Sequence, residues 1–219
     1  MGQADVVSPG QSRLRGGGVF GNERLTAANG VLLLLLLAAL GVTIVRIRPL
    51  IDVHLFLGLL LLGPVLLKVV STGYRFAHYY AGTPSYRERG APALALRLLG
   101  PFVVLSTLAV FATGVVLLIE GPGASGTLRT LHKLSFFVWI AFTSLHVLGH
   151  LPDLPRALLR RHGEHYEYNP LAAGGIGRVL TLTGAIVAGA LLATLLVPHF
   201  AGWSHFEAFH HHHTTELRT

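Results

Sequence analysis

Thirteen histidines and no cysteine bound the chemistry open to this 219-residue chain. Without a thiol it forms no disulfide, thiolate-ligated zinc site, iron–sulfur cluster or covalently attached c-type haem. A redox centre must therefore use histidine, lysine, methionine or oxygen ligands, and the only methionine is Met1. Three histidines stand inside long apolar runs: His54, His132 and His146, with His150 just beyond. Lys68 is deep in the same run as His54, between Leu66-Leu67 and Val69-Val70. Ionisable residues in an apolar span are costly and mark function by default. Their spacing is regular, with 14 residues from His54 to Lys68 and 14 from His132 to His146. Fourteen helical residues return to within about 40° of the starting azimuth and advance about 21 Å. Each pair thus lies on one helix face, with one member towards each end of the span.

The elements that must carry these residues are membrane helices. The chain is 52% hydrophobic and 12% charged, about half the charged fraction of a soluble domain. Its apolar residues fall in long runs rather than at an amphipathic period, as expected where lipid is the solvent. The sequence predicts an all-α membrane protein with five spans, roughly Leu25–Val45, Leu50–Val70, Leu94–Ile119, Leu128–Leu148 and Val179–Val197. Pro49, Gly121-Pro122-Gly123, Pro152 and Pro155 punctuate them. Pro64 lies inside the second span and should kink it unless a neighbouring helix satisfies the freed carbonyl. Residues 1–24 read as a polar, Gly-rich cytoplasmic tail without a cleavable signal peptide, and 25–198 as the membrane domain. Residues 199–219 read as a His-rich tail, in which His205 and the run His210 to His213 would suit a transition metal.

Loop charges set the expected orientation. With the N-terminus inside, eleven cations (Arg13, Arg15, Arg24, Arg75, Arg87, Arg89, Arg97, Arg156, Arg160, Arg161 and Arg178) face the cytoplasm. Five (Arg46, Arg48, Arg129, Lys133 and Arg218) face outwards. The bias predicts N-in, C-out in a bacterial-type inner membrane. The net charge of +7 is accordingly assigned to topology and not to nucleic-acid binding.

The second and fourth spans run in the same direction, so His54 and His132 share one depth near the outer surface, and Lys68 and His146 another near the inner one. Facing imidazoles at equal depth in a helical bundle form a bis-axial cage for haem b. Gly100 and Gly114 on the third span, again 14 apart, fall at the two depths, and Gly58 follows His54 by one turn. Such small residues let helices approach a flat macrocycle, or simply one another.

Over about His54 to His150 the pattern resembles the di-haem cytochrome b families, which include cytochrome b of quinol-oxidising bc complexes and the membrane subunits of respiratory hydrogenases and formate dehydrogenases. The resemblance implies His54 and His132 as ligands of an outer haem, His146 as a ligand of an inner one, and a haem-binding four-helix-bundle core. It departs at Lys68, where those families carry a fourth histidine. Lys68 either ligates iron as a neutral amine, or pairs as a cation with a propionate or quinone oxygen, or is bypassed in favour of His78. The implied function is transmembrane electron transfer between a quinone pool and a partner redox subunit containing molybdenum or iron–sulfur centres. The chain would serve as a subunit rather than a self-sufficient enzyme. The alternative is a haem-free transporter or assembly factor for metal ions or protons.

Other polar residues have two readings each. Tyr74, Arg75 and Arg97 are interfacial anchors or partners of inner propionates, and Arg129 and Lys133 are placed for outer ones. Ser106, Thr107, Ser135, Thr143 and Ser144 are helix–helix glue or orienters of imidazole N–H groups. His162-Gly163-Glu164-His165 lacks the metalloprotease spacing and reads as a solvated loop.

Overall fold

The computed structural model describes residues 18–87, 94–150 and 175–203. The expected N-terminal tail up to residue 17, the loop with His162 and His165, and the stretch with His205 and His210 to His213 lie outside the described residues. Within them are five long helices: α1 (Gly18–Val45), α2 (Ile51–Tyr80), α3 (Leu94–Glu120), α4 (Gly126–His150) and α5 (Gly175–Leu196). A one-turn helix, Pro84–Arg87, follows α2, and 3-10 turns at Gly121–Gly123 and Val197–His199 follow α3 and α5. No strand occurs among the described residues.

All five helices are long and apolar enough to cross a membrane. Their large side chains also point outwards: Leu35 and Leu180 are each 66% exposed and Leu195 is 74% exposed. In water such a surface would be untenable, whereas in a bilayer it is the solvated face. The protein is a multi-pass membrane protein. Two helices overrun the sequence expectation: α1 begins at Gly18 rather than Leu25, and α2 continues ten residues past Val70. At 1.5 Å per residue α2 is about 45 Å long against a hydrocarbon core of about 30 Å. The surplus carries Tyr74, Phe76, Tyr79 and Tyr80, a composition suited to the headgroup region.

The helices form two groups. In one, α2 packs along both α1 and α5; in the other, α3 packs along α4. The groups meet mainly through a small contact of α2 with α3, and α2 and α4 are not packed along each other.

Polar side chains hold α1 to α2. Asn22 donates to the Ser71 carbonyl (3.1 Å), Lys68 to the Thr26 carbonyl (2.9 Å) and the fully buried Asn29 to the Pro64 carbonyl (2.8 Å), while Thr43 meets His54. Asn22, Asn29 and Thr43 are separated by multiples of seven residues, the repeat that keeps one seam facing a partner.

Glycine holds α2 to α5. A Cβ on Gly63 would fall inside the Ala185 carbonyl, and one on Gly189 inside the Leu60 carbonyl. Leu60 is the residue whose carbonyl Pro64 leaves without an intrahelical donor. The close approach of the Gly189 backbone covers that carbonyl, so α2 stays one continuous helix through the proline.

The α3–α4 hairpin keeps a constant antiparallel register. Thr113 faces His132, Thr107 accepts from Trp139 Nε1 at 3.0 Å, and Phe102 stacks on Phe142 with centroids 5.2 Å apart. An apolar cluster of Leu59, Leu118, Ala193 and Phe200 joins α2, α3 and the end of α5, with Leu55, Phe56 and Val115 against it.

Candidate functional site

His54 stands one turn into α2 and His132 two turns into α4, both helices that start from the same end of the bundle. The two imidazoles come close enough for the charge of one to act on the other, although their helices do not pack. Both are half-buried, and Leu55 and Phe56, the two residues after His54, pack against the apolar cluster. Each ring is held by a threonine from a third helix. Thr43 Oγ1 of α1 lies 2.9 Å from His54 Nδ1, and Thr113 Oγ1 of α3 lies 3.0 Å from His132 Nδ1. The two threonines also donate to the preceding turn of their own helices, Thr43 to the Leu40 carbonyl (2.6 Å) and Thr113 to the carbonyls of Ala109 (2.8 Å) and Val110 (3.1 Å). The Val110 carbonyl also lies beside the His132 ring. Ser135 contacts Thr113 at 3.2 Å and donates to the His132 carbonyl at 2.8 Å.

The glycines divide. A Cβ on Gly114 would come within 3.0 Å of His132 Cε1, so this glycine makes room for the imidazole itself. Beside Gly58 and Gly100 a Cβ would meet nothing within 4 Å.

At the other level, Lys68 and His146 are within electrostatic reach of each other. The Lys68 amine, however, is turned to α1, where it donates to the Thr26 carbonyl and lies against Gly30. His146 contacts His150 edge to face, with centroids 4.7 Å apart. Its Nδ1 is buried without a hydrogen-bond partner, as are Thr143 Oγ1, Thr26 Oγ1 and Asn29 Oδ1. This level thus holds an amine and several unsatisfied polar atoms, but not the braced imidazole pair of the first.

His78 belongs to neither level. It sits at the end of α2, bonded to Thr83 (3.1 Å) and packed between Tyr74 and Tyr86. Arg97 is engaged with the Tyr80 hydroxyl and ring. Arg129 donates to the Pro122 carbonyl and lies 5.7 Å from the Trp203 ring centroid, fastening the α3–α4 turn to the end of α5. Ser106 and Thr107 both donate to the Val103 carbonyl in their own helix, and Thr107 also accepts the Trp139 bond that ties α3 to α4.

No protein-family model, curated protein or solved structure matches the chain. The site must be read from its own chemistry. Among the described residues no group of three or more His, Asp or Glu side chains could hold a metal ion. A macrocycle that brings four nitrogens of its own needs only two protein ligands. Thr43 and Thr113 escape sequence reasoning, because a threonine in an apolar helix ordinarily bonds its own backbone. The available signal was positional: Thr43 continues the seven-residue seam of Asn22 and Asn29, and Thr113 adjoins Gly114.

Proposed function

We propose that this protein is a membrane-bound b-type cytochrome, with haem held between His54 and His132. The observation that carries the reading is a pair of threonine-braced imidazoles within electrostatic reach of each other, on helices that do not pack along each other. The bonds to Thr43 and Thr113 also tie each histidine's helix to its neighbour; what goes beyond packing is that reach between the imidazoles across unpacked helices. Here each ring is braced from behind, with its Nδ1 occupied, which directs Nε2 to the task of ligation. The fit extends to the surroundings: Gly58, one turn after His54, adds no bulk, and a Cβ there would meet nothing within 4 Å.

His54 and His132 would hold the haem iron. Bound haem would supply a one-electron iron couple, and the protein's part is ligation, exclusion of water and tuning of potential. Lys133, next to His132, is the cation suited to a propionate, since Arg129 is engaged with the Pro122 carbonyl and the Trp203 ring. In this reading the chain conducts electrons between a quinone or quinol and a partner redox subunit, possessing molybdenum or iron–sulfur centres, in a bacterial-type inner membrane with its N-terminus inside. The likeness to di-haem cytochromes b is a likeness of histidine spacing.

A second haem at His146 would need Lys68 to leave the Thr26 carbonyl, so the geometry favours one haem per chain. Membranes containing the protein should show a Soret band and, on dithionite reduction, a sharpened b-type α band. A colourless preparation from haem-replete cells overturns the cytochrome reading and leaves the haem-free transporter or assembly factor.

A further inference from the structure

Each hydroxyl near the two histidines has a backbone carbonyl within donating distance. A threonine hydroxyl has a single proton and two lone pairs. Thr43 gives its proton to the Leu40 carbonyl at 2.6 Å, and Thr113 gives its own to the Ala109 and Val110 carbonyls at 2.8 and 3.1 Å. Ser135 is likewise committed to the His132 carbonyl at 2.8 Å. Neither threonine then has a proton for the imidazole beside it. With the hydroxyl protons on those carbonyls, the contacts at 2.9 and 3.0 Å are made by Nδ1–H of His54 and of His132 donating to the threonine oxygens.

We propose that Thr43 and Thr113 are positioning residues that lock both histidines as the Nδ1–H tautomer and present the Nε2 lone pair to iron. The inference rests on the haem reading of this site. A hydroxyl that already donates to a carbonyl is polarised into a better acceptor, so each threonine draws on its Nδ1–H and makes the imidazole more basic. A more basic axial ligand stabilises ferric iron. The threonines therefore hold the midpoint potential down, and α1 and α3, which contribute no ligand, share in setting it.

The test compares Thr43→Val and Thr113→Val with Thr43→Ser and Thr113→Ser in the full chain, by potentiometric titration and low-temperature paramagnetic resonance. Valine keeps the shape and removes the hydroxyl; serine keeps the hydroxyl. Each Val variant should shift the midpoint potential upwards and move the low-spin ferric signal, with the Ser variants close to wild type. Loss of haem in the Val variants with retention in the Ser variants supports the same conclusion. Full haem content with unchanged potential and spectrum in both Val variants overturns it, as does equal haem loss in the Val and Ser variants, which would mean packing alone. A wild-type protein without haem sinks the cytochrome reading instead. Nitrogen-15 spectra of the histidine rings then still report the tautomers, and an Nε2–H form at His54 or His132 overturns the threonine assignment.

Discussion

At the scale of single residues, the two levels of the bundle are chemically unlike despite their matched 14-residue spacing. His54 and His132 each have a hydroxyl partner for Nδ1, whereas His146 Nδ1 has none and Lys68 spends its amine on α1. The site reading consequently gives an asymmetric mutational pattern. His54→Ala or His132→Ala should abolish the low-spin b-type spectrum, because a ligand lost from a half-buried apolar site has no substitute nearby. His146→Ala should leave at least nine-tenths of the Soret absorbance. Equal losses from all three substitutions would mean that haem binding spans both levels. Lys68→Met should likewise spare the haem, but costs stability through the lost Thr26 bond, by about 0.6 kcal/mol on the average for hydrogen bonds inside membranes. Difference spectra and detergent thermal melts measure these outcomes.

At the scale of helices, the contacts that fix α2 are of two kinds, and their magnitudes differ. Asn29 donates one buried hydrogen bond to the Pro64 carbonyl, a bond worth about 0.6 kcal/mol on average in a membrane protein. Gly63 and Gly189 instead allow backbone to touch backbone, where an added side chain has no rotamer that avoids the clash. Gly63→Leu or Gly189→Leu must force α2 and α5 apart and uncover the Leu60 carbonyl, so the cost should exceed the usual overpacking range of about 1–3 kcal/mol. Thermal unfolding in detergent should therefore rank either glycine variant well below Asn29→Leu. The reverse ranking would show that the polar seam, and not the glycine contact, sets the position of α2. The α3–α4 hairpin should respond separately: Trp139→Phe removes the bond to Thr107 and affects the register that brings Thr113 to His132.

At the scale of the whole molecule, the grouping of α1, α2 and α5 against α3 and α4 places the paired histidines on opposite sides of the division. A cofactor ligated from both sides would join the groups. Depleting haem during growth should therefore lower the yield of intact protein and raise proteolysis between the α3–α4 hairpin and the rest, and restoring haem should reverse it. A yield and cleavage pattern indifferent to haem supply would separate the bundle's stability from the cofactor. A pyridine haemochromogen assay should count one haem per chain; a count of two would restore an inner site at His146. Reporter fusions at residues 20 and 48 test the proposed N-in orientation, with cytoplasmic signal expected from the first and external signal from the second.

The sequence by itself determined the solvent, the number of spans and the candidate histidines. Long apolar runs have one stable form in lipid, and a 14-residue step on a helix leaves little choice of face. It also excluded thiolate chemistry, since no cysteine is present. Helix ends were less legible: α2 outruns its apolar run because Tyr74, Arg75 and His78 suit the headgroup region while still forming good helix. What only the tertiary structure decided was which neighbours complete each polar residue. Thr43 is 11 residues from His54 and Thr113 is 19 from His132, distances at which no local periodicity links the partners. Likewise, Pro64 announces a freed carbonyl at Leu60, but that Gly189 covers it depends on how α5 returns across α2. Helix type and spacing are local properties of the chain. The hydrogen that orients an imidazole is supplied or accepted across a helix pair, and pairing is settled only when the whole bundle packs.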